Sequence, residues 1–581
     1  MNRRDRAIVA ALVCVLAVLA GVIAVPAAPS PEASGGPEAP TPAFSLPPET
    51  VYREGVVGVP VSITPVTARS RAERTLVGLV FSGLVRLGPG TSYEPDLADS
   101  WTVDKTGRTW TFHLGGSAVW QDGEPVTSTD ALFTLDVLKS PEASGAALAA
   151  QWADVTAEAP DDSTVVYHLG TPVAGWLAAA TQPILPAHLL AEVPFTDLAS
   201  SEYARMPVGS GPFALTEIDD THAVLAPKSM VLPEAEAPAS SGSPAPTLDS
   251  LATPVVRPAP AVATPYLGRI EIRFYPDEGT LAAAMRTGEI SAAAGLSPAT
   301  IADLSSLAGM RLTRYPTTTL TAVLLNLRAT HPELRSAAVR TALLQALDRD
   351  ALLRRALDGN GLRADALVPP TSALFDGDAV TPIAYDRASA SKALKDAGWT
   401  RQNGLLHAPK AKDPYTIHLL SVTAEANPKV ASIAEGVKTA WQALGFTVDL
   451  EQVPVAELGP RLRDGDFGAA VIDIAEGLEP DLFPLLASSQ VQGAGSNLAG
   501  YQDPALDDLL EAARKPGSTT ARQKAWKALL AGLSQRLPLL PLVWTDEVVV
   551  SVGLEGLETR LITRPGDRYW DVLAWRLAAN R

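Results

Sequence analysis

Cysteine is nearly missing from this chain: Cys14 is the one cysteine among 581 residues, and it sits inside an N-terminal apolar run. The rest of the chain is thus left without a disulfide, a thiolate nucleophile or a cysteine metal site. The 7 histidines are scattered singly, with no second ligand at metal spacing. No G-x-S-x-G or H-E-x-x-H motif occurs, and Ser389 and Lys392, which have a serine β-lactamase spacing, lack the S-D-N and K-T-G partners. These absences point away from an enzyme: no catalytic residue, metal ligand or cofactor site is expected. Positive charge is also in short supply, 47 Lys and Arg against 64 Asp and Glu, for a formal net charge of −17. A nucleic-acid partner needs a basic surface and is excluded on that ground. A solvated acidic surface accounts for the balance.

Long apolar runs are missing too, except one. After Arg3, Arg4 and Arg6, residues Ala7 to Val25 carry no charge. That approaches the roughly 20 residues needed to span a bilayer, and the preceding positive charge sends the remainder of the chain outside. A retained anchor is favoured; cleavage near Val25-Pro26-Ala27 is the alternative. Residues 28–50, rich in Pro, Ala, Ser and Glu, read as a linker. Beyond them, length alone suggests about three or four domains. Tyr52–Ile63 reads as a first strand, and a helix begins near Ala72. Strands with period-2 alternation follow at Thr109–Leu114, Thr164–Leu169 and Ile270–Phe274. Thr127 and Asp130 have the spacing of a capping box opening a helix. Strand, helix, strand recurs at Thr416–Leu420, Ile433–Leu444 and Val448–Val453, in the α/β manner. Met230–Pro265 is a Pro/Ala/Ser-rich stretch without the hydrophobic content to pack.

The densest pattern lies in residues 94–138. Pro95, Leu97, Ala98, Ser100 and Trp101 precede a strand ending in Phe112 and Leu114. Trp120, Asp122, Gly123, Pro125, Thr127 and Asp130 follow. This block resembles the signature of the peptide/nickel (family 5) extracytoplasmic substrate-binding proteins of ABC importers. Pro183–His188 (PILPAH), Pro207–Phe213 (PVGSGPF), Tyr385–Trp399 and Pro538–Leu542 (PLLPL) resemble further segments of that family. The resemblance implies an α/β fold of two lobes joined by hinge strands, periplasmic-binding-protein-like (type II, large cluster with an extra subdomain). Lobe I would take residues 51–318, with the subdomain at about 81–204 and a disordered insertion at 230–265. Lobe II would take 319–544, and 545–581 would return to lobe I.

The family resemblance implies a solute-binding component that captures peptides outside the cell membrane and delivers them to ABC permease subunits. It would act in the periplasmic space or at the cell surface. Nickel chelates, haem, opines and oligosaccharides are alternative ligands of the same fold; a secreted hydrolase, or a surface protein that kept the fold, is a more distant reading. In peptide-binding members an acidic residue in an A-D-Y-x-x-P context receives the ligand's α-ammonium. Ala475–Pro480 (AEGLEP) has the same spacing and puts Glu476 at that position. Asp473, Ile474, Ala475 and Gly477 would stand beside it, with Asp473 making the pocket more acidic. The competing reading is a solvated acidic loop, since Glu479 and Asp481 extend the run. Arg71 is a candidate for lining the site. The partner is then a peptide or another small amine-bearing ligand. Many relatives in single-membrane bacteria are lipoproteins, but Cys14 follows Val13 in mid-run, which does not suit lipidation. Cys14→Ser is therefore expected to leave the protein in the membrane fraction; release of the variant into the medium would identify a lipid on Cys14 as the anchor.

Overall fold

Strand β1 (Val51–Val57) opens the fold and is shorter than the sequence suggests. It stops because Gly58, at φ 91°, turns the chain away and Pro60 has no N–H to offer a ladder. The computed structural model describes residues 51–232, 266–491 and 495–578. These belong to one compact unit, Pro48–Arg581. The apolar run Ala7–Val25, the linker and residues 233–265 of the inserted stretch lie outside the described residues. Among the described residues no helix is long and apolar enough to cross a membrane.

In chain order the strands after β1 are a hairpin, β2 (Val85–Leu87) and β3 (Tyr93–Pro95), then β4 (Ala98–Val103), β5 (Thr109–Leu114), β6 (Val155–Asp161) and β7 (Thr164–Leu169). Next come β8 (Phe213–Ile218), β9 (His222–Pro227), β10 (Arg269–Tyr275), β11 (Ala292–Ala294) and the 16-residue β12 (Met310–Leu325). The second half adds β13 (Gly361–Arg363), the hairpin β14 (Thr400–Gln402) and β15 (Leu405–His407), β16 (Thr416–Val422), β17 (Thr447–Val453), β18 (Ala469–Ala475) and β19 (Leu540–Val552). One 11-stranded sheet runs through both halves in the order β17-β16-β18-β12-β19-β11-β1-β10-β9-β8, with β13 on β19. Strands β16 and β17 are parallel and flank the helix Pro428–Leu444, a βαβ crossover. Its cap is Asn427, and Pro428 stands at the first helical position, where no N–H is needed.

Strands β4–β7 form a separate four-stranded antiparallel sheet. The residues of the densest sequence pattern hold this unit together. Phe112 and Trp120 are fully buried. Asp130 takes the Thr127 N–H at 2.8 Å, the Trp120 indole N–H at 3.3 Å and the Ala187 N–H at 2.7 Å. It thus closes the capping box of the helix Ser128–Lys139 and fastens a second segment to it. His188 lies 2.9 Å from the Asp122 carboxylate and packs on Trp120, a structural pairing. At the turn Pro207–Phe213 the glycines permit close approach: a Cβ on Gly209 would stand 2.0 Å from the Val80 carbonyl oxygen. Gln121 locks the crossing by accepting from the Gly209 N–H at 2.8 Å and donating to the Phe213 carbonyl at 2.8 Å.

The cores follow the same division. The largest apolar cluster runs from Leu320 to Trp544, a second from Val66 to Leu198, and a third joins β1 and β8–β10 to the C-terminal segment through Trp575. Inside the third lies a charged pair, Glu54 on β1 and Arg568, both side chains 0 % exposed. Arg568 donates to Glu54 at 2.5 and 3.1 Å, and the hydroxyls of Tyr52 and Tyr569 complete the carboxylate at 2.7 and 2.8 Å. This network fixes the chain's C-terminal return. Breaking one side of such a pair strands a buried charge, at a cost of about 3–5 kcal/mol. Arg568→Met should lower unfolding stability by that amount, and the double variant Glu54→Gln/Arg568→Met should lose less than Arg568→Met alone, as read by denaturant titration.

Candidate functional site

Two strands pass from one half of the sheet to the other. Strand β12 pairs through Met310–Pro316 with the far end of β19, and through Leu320–Val323 with its near end. The register slips between Pro316 and Leu320, because a proline in mid-ladder contributes no donor. The freed groups bond elsewhere. Thr317 donates its hydroxyl to the Thr545 carbonyl at 2.8 Å, and the Thr318 N–H donates to the Ile562 carbonyl at 3.0 Å. The Thr318 carbonyl accepts from the Glu476 N–H at 3.2 Å, and its hydroxyl donates to the Glu476 carbonyl at 2.5 Å. The kink therefore holds the residue just past the end of β18.

Strand β18 starts deep, with Ala469, Ala470 and Val471 fully buried, and emerges by Ala475. Glu476 is half-buried. Loss of water and the nearby Asp481 carboxylate push its carboxyl up to about 8, against a weaker pull from the Asp481 N–H. Among the described residues no Lys, Arg or His pairs with it. The other acids of this stretch are all matched. Asp473 accepts from Lys429 at 2.7 and 2.9 Å, from Thr321 at 2.5 Å and from Asn427 at 3.1 Å. Glu479 is held by Arg522, and Asp481 by Arg514 at 2.9 Å. Asp473 thus adds no free negative charge beside Glu476. Among the four acids, Glu476 alone is left without a cation.

The other expected residues are distributed as follows. Ile474 is half-buried against the second half's core, while Ala475 and Gly477 are exposed. Arg71 opens the helix Arg71–Val80 and is engaged by Glu547 of β19, through both guanidinium nitrogens, one at 3.2 Å. Residues that gave no sequence signal close the region. Leu478 is buried with Leu87 and Leu561 of the other half. The Ala174 N–H donates to the Arg514 carbonyl at 3.1 Å. Gly175 lies so near Glu479 that an added Cβ would fall 2.3 Å from the Glu479 Cβ. Among the described residues no group of three or more His, Cys, Asp or Glu is placed to hold a metal ion.

Residues 92–493 match the model of the bacterial extracellular solute-binding proteins, family 5 (middle region). The chain belongs to this family. The family 5 chain is 23% identical over 534 residues to the oligopeptide-binding protein AppA of Bacillus subtilis, covering 90% of this chain and 91% of the relative. It is 23% identical over 497 residues to the dipeptide-binding protein of Escherichia coli, covering 79% and 83%. Among solved structures, AppA of Bacillus subtilis in complex with a nonapeptide superposes with a TM-score of 0.68 at 21% identity, over 91% of this chain and 99% of that one. The fold of this family 5 protein is accordingly that of the two-lobed periplasmic binding proteins. Strands β12 and β19 run through the middle of the large sheet, and the contacts at Leu478, Gly175 and Ala174 join the two halves of the chain. Gly175→Val should wedge them apart: small-angle scattering is expected to give a larger radius of gyration for the variant, with the melting temperature nearly unchanged.

Proposed function

We propose that this family 5 protein captures peptides outside the cytoplasmic membrane by lobe closure and hands them to the permease of an ABC importer, with Glu476 receiving the peptide's α-ammonium. The observation that carries this reading is the isolation of Glu476: a half-buried carboxyl, fastened to the hinge, whose acidic neighbours all have cations while it has none. A ligand amine supplies the missing charge. Because the same ligand touches groups of both lobes, its binding energy favours the closed state over the open one. The peptide-binding relatives from Bacillus subtilis and Escherichia coli support the ligand class. The reading is of binding without turnover, so the ligand should leave unchanged, and of a protein held at the outer face of the membrane by its N-terminal segment.

The protonation state gives the test its sign. With a carboxyl near 8, the free protein at pH 7 carries Glu476 largely protonated, and an ammonium must displace that proton. Affinity for an amine should therefore rise about tenfold per pH unit from pH 5 toward 8 and fall again above, where the peptide's own α-ammonium, at about 8, loses its proton; most of one proton should be released on binding at pH 7. Glu476→Gln should abolish the rise from pH 5 to 8 and the proton release, and weaken peptide binding roughly a hundredfold, since losing one partner of a buried charge pair costs about 3 kcal/mol or more. N-acetylation of the peptide should cost the wild type a similar factor and the variant little. Calorimetry in buffers of different ionisation enthalpy reads all of this; wild-type binding indifferent to acetylation would overturn the assignment.

A further inference from the structure

Of the carboxylates near Glu476, only Asp481 acts on its charge, and it does so in two opposing ways. Its N–H is bonded to the Glu476 carboxyl and favours the ionised form, while its negative charge disfavours that form and prevails. How strongly Asp481 repels depends on where its carboxylate stands and on what neutralises it. Both are set by Arg514, the last residue of the helix Pro504–Arg514. One Nη donates to an Asp481 oxygen at 2.9 Å, and the other Asp481 oxygen accepts the Phe483 N–H at 3.1 Å. The guanidinium carbon lies 4.4 Å from the centre of the Phe483 ring, a cation–π contact. With side chains 14 % and 23 % exposed, Arg514 and Asp481 form a pair that salt screens less than a surface one. The Arg514 carbonyl accepts the Ala174 N–H, from the other half of the chain, at 3.1 Å. The end of this helix is therefore pinned from both sides.

The other charges around the loop are engaged elsewhere. Asp473, on the strand leading to Glu476, is taken by Lys429 of the helix Pro428–Leu444, and Glu479 by Arg522 of the helix Thr519–Arg536. From β12, Thr318 offers Glu476 only its carbonyl and hydroxyl. The other half of the chain meets the loop with Leu87, Leu561 and Gly175, which carry no charge. We propose that Arg514 is a positioning residue of the amine site: it fixes the Asp481 carboxylate beside Glu476, tempers its repulsion, and so decides how readily Glu476 exchanges a proton for a ligand's amine. The proposal rests on the amine reading of Glu476 and adds the residue that tunes it. Arg514 itself touches no ligand and works only through Asp481. Loss of Arg514 and a loosened loop move Glu476 in opposite directions. Without the guanidinium the full charge of Asp481 faces Glu476, which then keeps its proton to higher pH. Loosening admits water instead and brings the carboxyl down toward the ordinary glutamate range.

The test follows the Glu476 carboxyl by carbon NMR in the ligand-free, full-length protein labelled at its glutamate side chains, the signal being the one lost in Glu476→Gln. The wild type should titrate at about 8. Arg514→Gln is expected to raise that midpoint by about one pH unit, and Asp481→Asn to lower it by about as much. The double variant should titrate with Asp481→Asn, because Arg514 then has nothing to act through. Arg514→Lys keeps a cation without the planar fork and should recover most of the wild-type value. Equal midpoints in wild type and Arg514→Gln overturn the proposal. So does a fall in both single variants, the mark of a loosened loop, or a double variant that differs from Asp481→Asn. Calorimetry with alanine peptides of two to nine residues, free and N-acetylated, separates this from the reading beneath it. Asp481→Asn should release clearly less proton than the wild type on binding a free peptide at pH 7, and Arg514→Gln no less than the wild type. Equal binding of free and acetylated peptides by the wild type, or no binding at any length, overturns the amine reading and this proposal with it, even where the midpoints move as stated.

Discussion

Everything in this molecule hangs on two strands that cannot stay in register. Strands β12 and β19 link the two halves of the large sheet, and Pro316 denies them a continuous ladder. A uniform ladder through that point would make a stiff beam. The slip between Pro316 and Leu320 instead leaves two threonines, Thr317 and Thr318, to find partners sideways, in Thr545, Ile562 and Glu476. The bend is thereby tied at once to the other hinge strand, to the C-terminal segment and to the loop after β18. A force applied at that loop is felt at the kink of β12, because Thr318 grips Glu476 through both its carbonyl and its short hydroxyl.

Electrostatics in the same region follows a simple rule of accounting. An acidic stretch with four carboxylates would repel itself and stay open to water. Here lysine and arginine from three different helices neutralise Asp473, Glu479 and Asp481, so the stretch folds down against its own lobe. Glu476 is reluctant to ionise because it has lost water and still faces the Asp481 carboxylate.

Much of the architecture was legible in the sequence. Thr109–Leu114 and Thr164–Leu169 alternate cleanly, and the structure makes both strands with those bounds. The hinge was not. Met310–Pro316 carries Arg311, Arg314 and a proline, which mask its strand character, and the partner that stabilises it lies more than two hundred residues away. Strand β19 interrupts its apolar run with Asp546 and Glu547, so the resemblance marks Pro538–Leu542 but not the length of strand that continues to Val552. At the site, the resemblance of Ala475–Pro480 to the family's segment pointed to Glu476, but nothing local could reveal its isolation. That depends on Arg514 and Arg522, which tertiary packing brings back to Asp481 and Glu479, and on Lys429, which engages Asp473 from a helix cap.

The part played by Asp130 and Trp120 has a further consequence. The letters by which this chain is most readily classed are spent on capping a helix, filling a core and pinning the Ala187 N–H within the β4–β7 unit. None of them belongs to the loop at Glu476. On the proposed reading of that loop, ancestry and cargo are written in separate stretches of the chain: drift in the loop can change what is carried without altering a letter of the signature, and the signature can be retained by proteins that carry quite different molecules.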